Sequence, residues 1–90
     1  MIKLVELEKT KGVLEVLMVL FKKGDTRSTY IIKSISISRE TFYKITKTLK
    51  KHGLAKKIYI EDQNILLWTL TSKGKEIAAH LVEIERILGS

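Results

Sequence analysis

With 90 residues, 44% of them hydrophobic and 30% charged, the chain has the size and composition of one small folded domain, expected to span residues 1–90. It contains no cysteine, which excludes disulfide bonds and thiolate metal sites. The net charge of +7 is unevenly distributed, because residues 22–57 hold eleven basic and two acidic residues while the rest of the chain is slightly acidic. A basic stretch confined to one part of a domain is typical of nucleic-acid binding.

Neither a secretory signal nor a membrane-spanning segment is apparent. The apolar run 13–21 is interrupted by Glu15 and is too short to cross a bilayer, and the N-terminus lacks the three regions of a signal peptide. We therefore expect a cytoplasmic protein without a membrane partner. Fourteen lysines, twelve isoleucines and the absence of proline suit a thermophile or an AT-rich genome.

Two helices are predicted before the basic stretch. Residues 1–9 fit a strand or a short helix, and we favour a helical arm that crosses onto a partner subunit. Residues 10–23 predict a clearer helix, ending at Gly24, that is apolar over most of its circumference. A helix apolar on all sides is buried from more than one direction. Its second apolar side, with Leu14 and Met18, is a candidate dimer contact; a central core helix in a monomer is the alternative.

A helix-turn-helix is predicted within the basic stretch. One helix covers about 28–34, residues 35–37 form a tight turn, and a second helix covers about 38–52. Residues 26–27 could supply a minimal strand before it. The alternative is an ordinary helical pair whose lysines serve only solubility.

The second of these helices has recognisable ends and a clear inward side. Ser38 is a suitable N-cap, because its hydroxyl can accept a hydrogen bond from the first turn. Phe42, Ile45 and Leu49 recur at spacings of three and four, which places them toward the core. Gly53 can adopt the left-handed conformation that ends a helix.

A β-hairpin is predicted after this helix, because the pattern changes to an alternation with a period of two. Residues 57–61 form the first strand, 62–64 the turn and 65–70 the second strand. Trp68 is predicted to lie in the core rather than to act as a binding platform.

A final helix is predicted over residues 71–88, with Thr71 as its N-cap. Four aliphatic residues recur along it at intervals of four, three and four, as in a coiled coil: Ile77, Leu81, Ile84 and Leu88. We predict that this stripe is the main dimer contact, and its packing against the chain's own first long helix is the alternative.

The order of elements resembles that of the winged helix-turn-helix transcription regulators, in particular small MarR- and ArsR-like proteins of archaea and their viruses. Three stretches carry the likeness and cover about half of the chain. Residues 31–41 match the second helix and turn, and residues 41–54 match the recognition helix with its Gly-Leu exit. The sequence Trp-Thr-Leu-Thr-Ser-Lys-Gly at residues 68–74 matches the bridge into the last helix.

The resemblance implies an α+β, mostly α fold in a single domain. An N-terminal arm (1–9) would precede a winged-helix core (10–70), which has three helices and a two- or three-stranded wing. A long C-terminal dimerisation helix (71–90) would follow.

Two positions depart from the pattern of this family. The turn between the two helices usually holds glycine, whereas this chain has Ser36. The wing tip at 61–64 is short and acidic, where the family often places arginine for the minor groove. Phosphate contacts of the wing would then come from Lys56 and Lys57 at its base, or from Gln63 and Asn64 at its tip. This leaves the recognition helix as the principal reader.

Charge and resemblance together predict a sequence-specific regulator that binds double-stranded DNA as a homodimer, with the helix over about 38–52 in the major groove. Two such helices would read a pseudo-palindrome with half-sites about one helical turn apart. The residues predicted to face bases or nearby phosphates are Arg39, Glu40, Thr41, Tyr43, Lys44 and Lys47. Those predicted to hold phosphates are Arg27, Ser28, Thr29, Lys50, Lys51, Lys56 and Lys57.

Two other functions use the same features. An architectural or partition protein would coat DNA with little sequence preference, since phosphate contacts alone supply non-specific affinity. A protein–protein module would use the winged helix as a scaffold, and the acidic wing tip favours this alternative.

An enzyme is not expected, and neither a cofactor nor a metal is implied. The two histidines, His52 and His80, are far apart in sequence, and no carboxylates stand at metal-ligand spacing. No glycine-rich phosphate loop or nucleophile motif is present. The sequence does not identify a small-molecule effector.

Overall fold

The computed structural model describes residues 2–90, which are mostly helical with one two-stranded antiparallel sheet. The elements in chain order are α1 Lys3–Glu8, α2 Val13–Lys23, α3 Ser28–Ile35, α4 Arg39–Lys51, β1 Ala55–Ile60, β2 Ile65–Leu70 and α5 Ser72–Leu88. This order confirms the mostly α architecture with a hairpin after the fourth helix. None of the helices within residues 2–90 combines the length and the apolar character needed to cross a bilayer.

A turn that the sequence pattern did not predict separates the first two helices. The arm is helical over Lys3–Glu8, as expected, but α2 begins at Val13 rather than at Thr10. Gly12 precedes it with a φ of 98°, a left-handed conformation that other residues rarely adopt. A Cβ at Gly12 would lie only 2.8 Å from Ile45 Cδ1, so this turn lies directly against α4.

Helices α2, α3 and α4 form a three-helix core to which each contributes fully buried side chains. The largest of these are Phe42, Leu17, Ile31, Ile45 and Leu49. The three inward residues predicted for α4 are among them. The Phe42 ring meets Trp68 of β2 edge-on, with 6.0 Å between ring centroids, so the hairpin packs directly on the helical core.

The turn between α3 and α4 has the backbone conformation that glycine usually supplies. Ser36 ends α3 with a φ of 53° and a ψ of 54°, which together define a left-handed backbone conformation. The N–H of Ile37 donates to the Ile32 carbonyl at 3.2 Å, which closes the turn. The serine therefore keeps the turn geometry, at a conformational cost of about 1–2 kcal/mol relative to glycine.

The hairpin after α4 is a two-stranded wing. β1 and β2 pair antiparallel, with Ala55 opposite Leu70, and a short 3-10 turn over Glu61–Gln63 joins them. The predicted strand before α3 is reduced to one residue: Thr26 forms an isolated bridge with Trp68, with reciprocal backbone hydrogen bonds of 3.2 and 2.8 Å.

The start of α5 is fixed against the exit of α4. Thr71 is its N-cap, because its hydroxyl accepts from the Gly74 N–H at 3.0 Å, and the same hydroxyl donates to the Gly53 carbonyl at 2.6 Å. The Thr71 N–H donates to the Leu54 carbonyl at 3.0 Å. The Gly-Leu and Thr-x-x-Gly motifs of the sequence are therefore two sides of one contact.

The two halves of α5 differ in their surroundings. Ala78 is fully buried, and Ile77 and Leu81 pack beside it against the chain's own core. Ile84 is 51% exposed and Leu88 is 75% exposed. The first half thus packs within the domain, as the alternative interpretation of this helix expected, whereas the second half presents apolar side chains to solvent.

Candidate nucleic-acid interface

Helix α4 is fixed at both ends by its own sequence. Its N-cap is Ser38, as predicted, whose hydroxyl oxygen accepts from the Thr41 N–H at 3.1 Å. Beyond its C-terminus Gly53 has a φ of 70°, and the Leu54 N–H donates back to the Leu49 carbonyl at 2.9 Å. The helix is therefore held rigidly, with one side buried.

The opposite side of α4 is polar and open to solvent. Thr41 is half-buried, and the other predicted residues of this helix are exposed: Arg39, Glu40, Tyr43, Lys44, Lys47, Lys50 and Lys51. Within residues 2–90 no lysine of α4 forms an ion pair. The structure thus brings the predicted residues of α4 onto one surface whose positive charge is available to an anionic ligand.

Tyr43 is the most exposed aromatic residue of this surface, at 63%. Its ring lies 6.4 Å from that of Phe42 in a tilted arrangement, and it points outward while Phe42 points into the core. The Tyr43 side chain is therefore accessible to any ligand that binds to this surface.

Two predicted phosphate-binding lysines converge on one buried ring. Lys50 Nζ of α4 and Lys57 Nζ of β1 each lie 5.5 Å from the ring centroid of Trp68, within the range of a cation–π interaction. Trp68 is only 6% exposed, which confirms its predicted core position. Its second role, fixing two cations beside α4, was missed, because no spacing in the sequence connects residues 50, 57 and 68.

The wing separates two neighbouring lysines that the sequence grouped together. Successive residues of a strand point to opposite faces. Lys57 pairs with Trp68 on the face toward α4, whereas Lys56 pairs with Thr69 on the other face. Lys56 is exposed but does not join the cluster of Lys50 and Lys57.

The wing tip carries acidic residues and an apolar pair. Glu61 and Asp62 are exposed in the 3-10 turn. Tyr59 pairs with Leu66 across the two strands, and both are more than half exposed. The Tyr59 hydroxyl donates to Asn64 Oδ1, which orders the tip. This exposed pair was not singled out from the sequence.

The N-terminus of α3 holds the remaining predicted phosphate contacts. Arg27 is its N-cap residue and makes no side-chain cap, and Ser28 and Thr29 begin the helix. The first N–H groups of a helix have no partner within the helix, and they favour anions. Arg27 and Thr29 are exposed and Ser28 is half-buried.

The predicted dimer residues do not form one continuous exposed stripe. Four are half-buried within the chain: Leu14, Met18, Ile77 and Leu81. Ile84 and Leu88 are exposed, together with Ile87 on the same half of α5. Three apolar residues of the N-terminal arm, which is predicted to cross onto a partner subunit, are also at least half exposed: Ile2, Leu4 and Val5.

No protein-family profile and no curated protein sequence matches this chain. Solved structures are similar to it. A mutant of ZitR from Lactococcus lactis in apo form superposes with a TM-score of 0.76 and 26% identity, over 93% of this chain and 63% of the other. A probable transcriptional regulator from Pseudomonas aeruginosa gives a TM-score of 0.76 and 18% identity, over 88% and 60%. FabT from Streptococcus pneumoniae, in complex with DNA, gives 0.70 and 19%, over 89% and 60%.

These similarities show that the chain has the winged-helix fold. The chain spans less than two thirds of the length of each of these proteins. At this level of identity the fold carries over, whereas a function has to be supported by the residues of this chain.

Proposed function

We propose that this protein is a transcription regulator of the small MarR/ArsR-like type, which binds double-stranded DNA through α4 in the major groove. The observation that carries the proposal is the two-sided character of α4: one side is buried in the core, and the other presents exposed cations without ion pairs within residues 2–90. A helix with its side chains is about 10–12 Å across, and the major groove of B-DNA is about 12 Å wide. The structure of FabT with DNA supports this use of the fold. An archaeal and thermophilic source stays a prediction from the sequence.

The first turns of α4 supply the candidates for reading bases. Arg39 can bind guanine through two hydrogen bonds, and the Glu40 carboxylate can accept from the cytosine amino group. Four further side chains continue along the helix toward bases or nearby phosphates: Thr41, Tyr43, Lys44 and Lys47.

Phosphate contacts are assigned to cations that border this helix. Lys50 and Lys57, fixed over the Trp68 ring, would hold the backbone on the wing side. Other phosphates of the DNA backbone would be bound by Lys51 and by residues 27–29 at the N-terminus of α3. Lys56, on the other face of the wing, contributes mainly long-range attraction.

The proposal includes a homodimer formed by the exposed ends of the chain. The outer half of α5 exposes Ile84, Ile87 and Leu88, and α1 exposes Leu4 and Val5. Burying such side chains against a second copy contributes about 25 cal/mol per Å² of apolar surface. A two-fold dimer would present two copies of α4 to half-sites about 10 base pairs apart.

The test is fluorescence anisotropy with labelled duplex DNA, at several salt concentrations. Lys44→Gln and Lys47→Gln should weaken binding and reduce its salt dependence, because each removes a phosphate or base contact. Lys75→Gln is the matched control, because it also removes one positive charge from an exposed side chain, but on α5. Unchanged binding in both α4 variants would exclude this helix from the interface. Equal affinity for a random duplex and for a duplex from the region upstream of the protein's own gene would favour the architectural alternative.

A protein–protein module is the second candidate, and one observation favours it. The exposed pair of Tyr59 and Leu66, next to two acidic residues, is a surface suited to a protein rather than to a phosphate backbone. Tyr59→Ser and Leu66→Ser should leave DNA affinity unchanged if α4 is the reader. Loss of DNA binding in these variants would place the wing face at the centre of the interface instead.

A further inference from the structure

A basic groove borders α4 on the flank away from the wing. Its volume is about 890 Å³, and it lies between the turn from α1 to α2, the turn from α3 to α4, and α4 itself. Four lysines line it, from two separate parts of the chain: Lys9, Lys11, Lys44 and Lys47. Glu15 is the one acidic residue of its lining. We call this surface the α4 groove.

Helical spacing shows which flank of α4 the groove occupies. Thr41, Lys44 and Thr48 line it and recur at intervals of three and four, so they form one stripe. Lys50 follows Thr48 by two residues and therefore points almost to the opposite side, where it lies over Trp68. The exposed face of α4 thus has the wing on one flank and the α4 groove on the other.

The hydrogen bonds within the groove leave it rich in donors. Thr10 and Thr48 bond to each other at 2.9 Å, and the Thr48 hydroxyl donates to the Lys44 carbonyl at 3.1 Å, which ties the α1–α2 turn to α4. Ser38 donates to Thr41 Oγ1 at 3.0 Å, so the Thr41 hydroxyl keeps its own hydrogen for another acceptor. Ammonium and hydroxyl donors around an open groove suit a phosphate, because its oxygens only accept.

The position of the groove favours a phosphate of DNA. A helix in the major groove has a backbone strand on each side of it. On the wing side Lys50 and Lys57 supply cations to one strand. On the other side the α4 groove supplies them, and Lys11 comes from a turn outside the helix-turn-helix.

We propose that the α4 groove binds a backbone phosphate of the strand opposite the wing, through Lys11, Lys44 and the Thr41 hydroxyl. This inference rests on the proposed DNA-binding function and adds the α1–α2 turn to the DNA footprint. Gly12 makes the arrangement feasible, since its left-handed conformation lets the turn that carries Lys11 lie against Ile45 of α4.

The test is a salt titration of binding to random duplex DNA by the full chain and its variants. Each phosphate contact adds about 0.9 to the slope of log affinity against log salt concentration. Lys11→Gln should therefore lower the slope by about 1 per bound subunit, equally for any sequence. Lys11→Arg should restore it, and Lys75→Gln should leave it unchanged. Lys11 is exposed in a turn, and a thermal melt checks that each variant is folded.

A second measurement locates the contact. Neutral methylphosphonate, placed at one backbone position at a time, should weaken wild-type binding at a phosphate opposite the wing. It should have a smaller effect there on Lys11→Gln than on wild type, because the Lys11 contribution is already lost in the variant, while Lys44 and Thr41 still contact the phosphate.

The outcomes separate this inference from the proposed function. A wild-type slope in Lys11→Gln, with a reduced slope in Lys44→Gln, would overturn the groove contact and leave DNA binding by α4 in place. No DNA binding by the wild type would overturn both. In that case, amide shifts of Lys11 and Thr41 on titration with inorganic phosphate would assign the groove to a free phosphate ligand.

Discussion

Replacing Gly74 with alanine should displace α5 from the exit of α4. A Cβ at this position would lie 1.9 Å from the Leu54 carbonyl oxygen. An ordinary contact needs about 3.4 Å, so one of the two segments must move by roughly 1.5 Å. Two hydrogen bonds cross the same junction, from the Thr71 N–H to Leu54 at 3.0 Å and from the Thr71 hydroxyl to Gly53 at 2.6 Å. A shift of this size weakens both.

The expected loss of stability follows from these contacts. Each hydrogen bond contributes about 1 kcal/mol, and a misplaced Thr71 cap costs about 1 kcal/mol more. The higher helix propensity of alanine offsets about 1 kcal/mol. The free energy of unfolding should therefore fall by about 2 kcal/mol, which lowers the Tm of a domain of 90 residues by roughly 8–16 °C.

Thermal and urea unfolding followed by circular dichroism measures this effect. Gly89→Ala is the matched control, because a Cβ there would lie 3.4 Å from the Glu85 carbonyl oxygen, an ordinary contact. Its stability should stay within about 0.5 kcal/mol of wild type. A Gly74→Ala variant that melts within about 2 °C of wild type would refute the close approach of α5 to the exit of α4.

Three further predictions concern the turn, the dimer and the recognition surface. Ser36→Gly should raise the free energy of unfolding by about 0.5 kcal/mol, because the relief of left-handed backbone strain exceeds the added entropy of the unfolded chain. The control Ser34→Gly, within α3, should lower the free energy of unfolding by about 1 kcal/mol. Urea unfolding measures both variants, and a Ser36→Gly variant less stable than wild type would contradict the strain at Ser36. Leu88→Glu should convert the dimer into a folded monomer, as measured by analytical ultracentrifugation, while Ala79→Glu on a different face of α5 should leave the dimer intact. A wild-type protein that is monomeric would contradict a dimer formed through the end of α5. The double variant Lys44→Gln/Lys47→Gln should bind random duplex DNA about 30-fold more weakly per bound subunit at 0.15 M salt, as measured by fluorescence anisotropy. A loss of affinity below about 3-fold would contradict a phosphate contact by each of the two lysines.

The local features of α4 could be predicted from the sequence because they depend on neighbours along the chain. The Ser38 cap, the inward spacing of Phe42, Ile45 and Leu49, and the glycine beyond the helix are all set within about 15 residues. The same holds for the Thr71 cap. Once the inward side of α4 is known, its exposed side follows, so the predicted surface of this helix was found in the structure.

Other features depend on contacts between distant residues and were not predictable. The α1–α2 turn lies against Ile45 of α4 at Gly12, a contact that no periodicity in residues 10–23 reveals. The convergence of Lys50 and Lys57 on Trp68 needs the register of the wing. The α4 groove joins Lys11 to Lys44 across 33 positions, so a sequence pattern could not connect them.

Guanine-N7 methylation interference shows whether α4 reads guanines from the major groove, because the N7 atom lies in that groove. The measurement uses a duplex selected by the protein from a random pool. We expect interference at guanines in two patches about 10 base pairs apart, one for each copy of α4. Arg39→Ala should remove the interference at one guanine in each patch. Tight binding to a selected site whose half-sites contain guanine, without any N7 interference, would contradict the reading of guanine by α4 in the major groove.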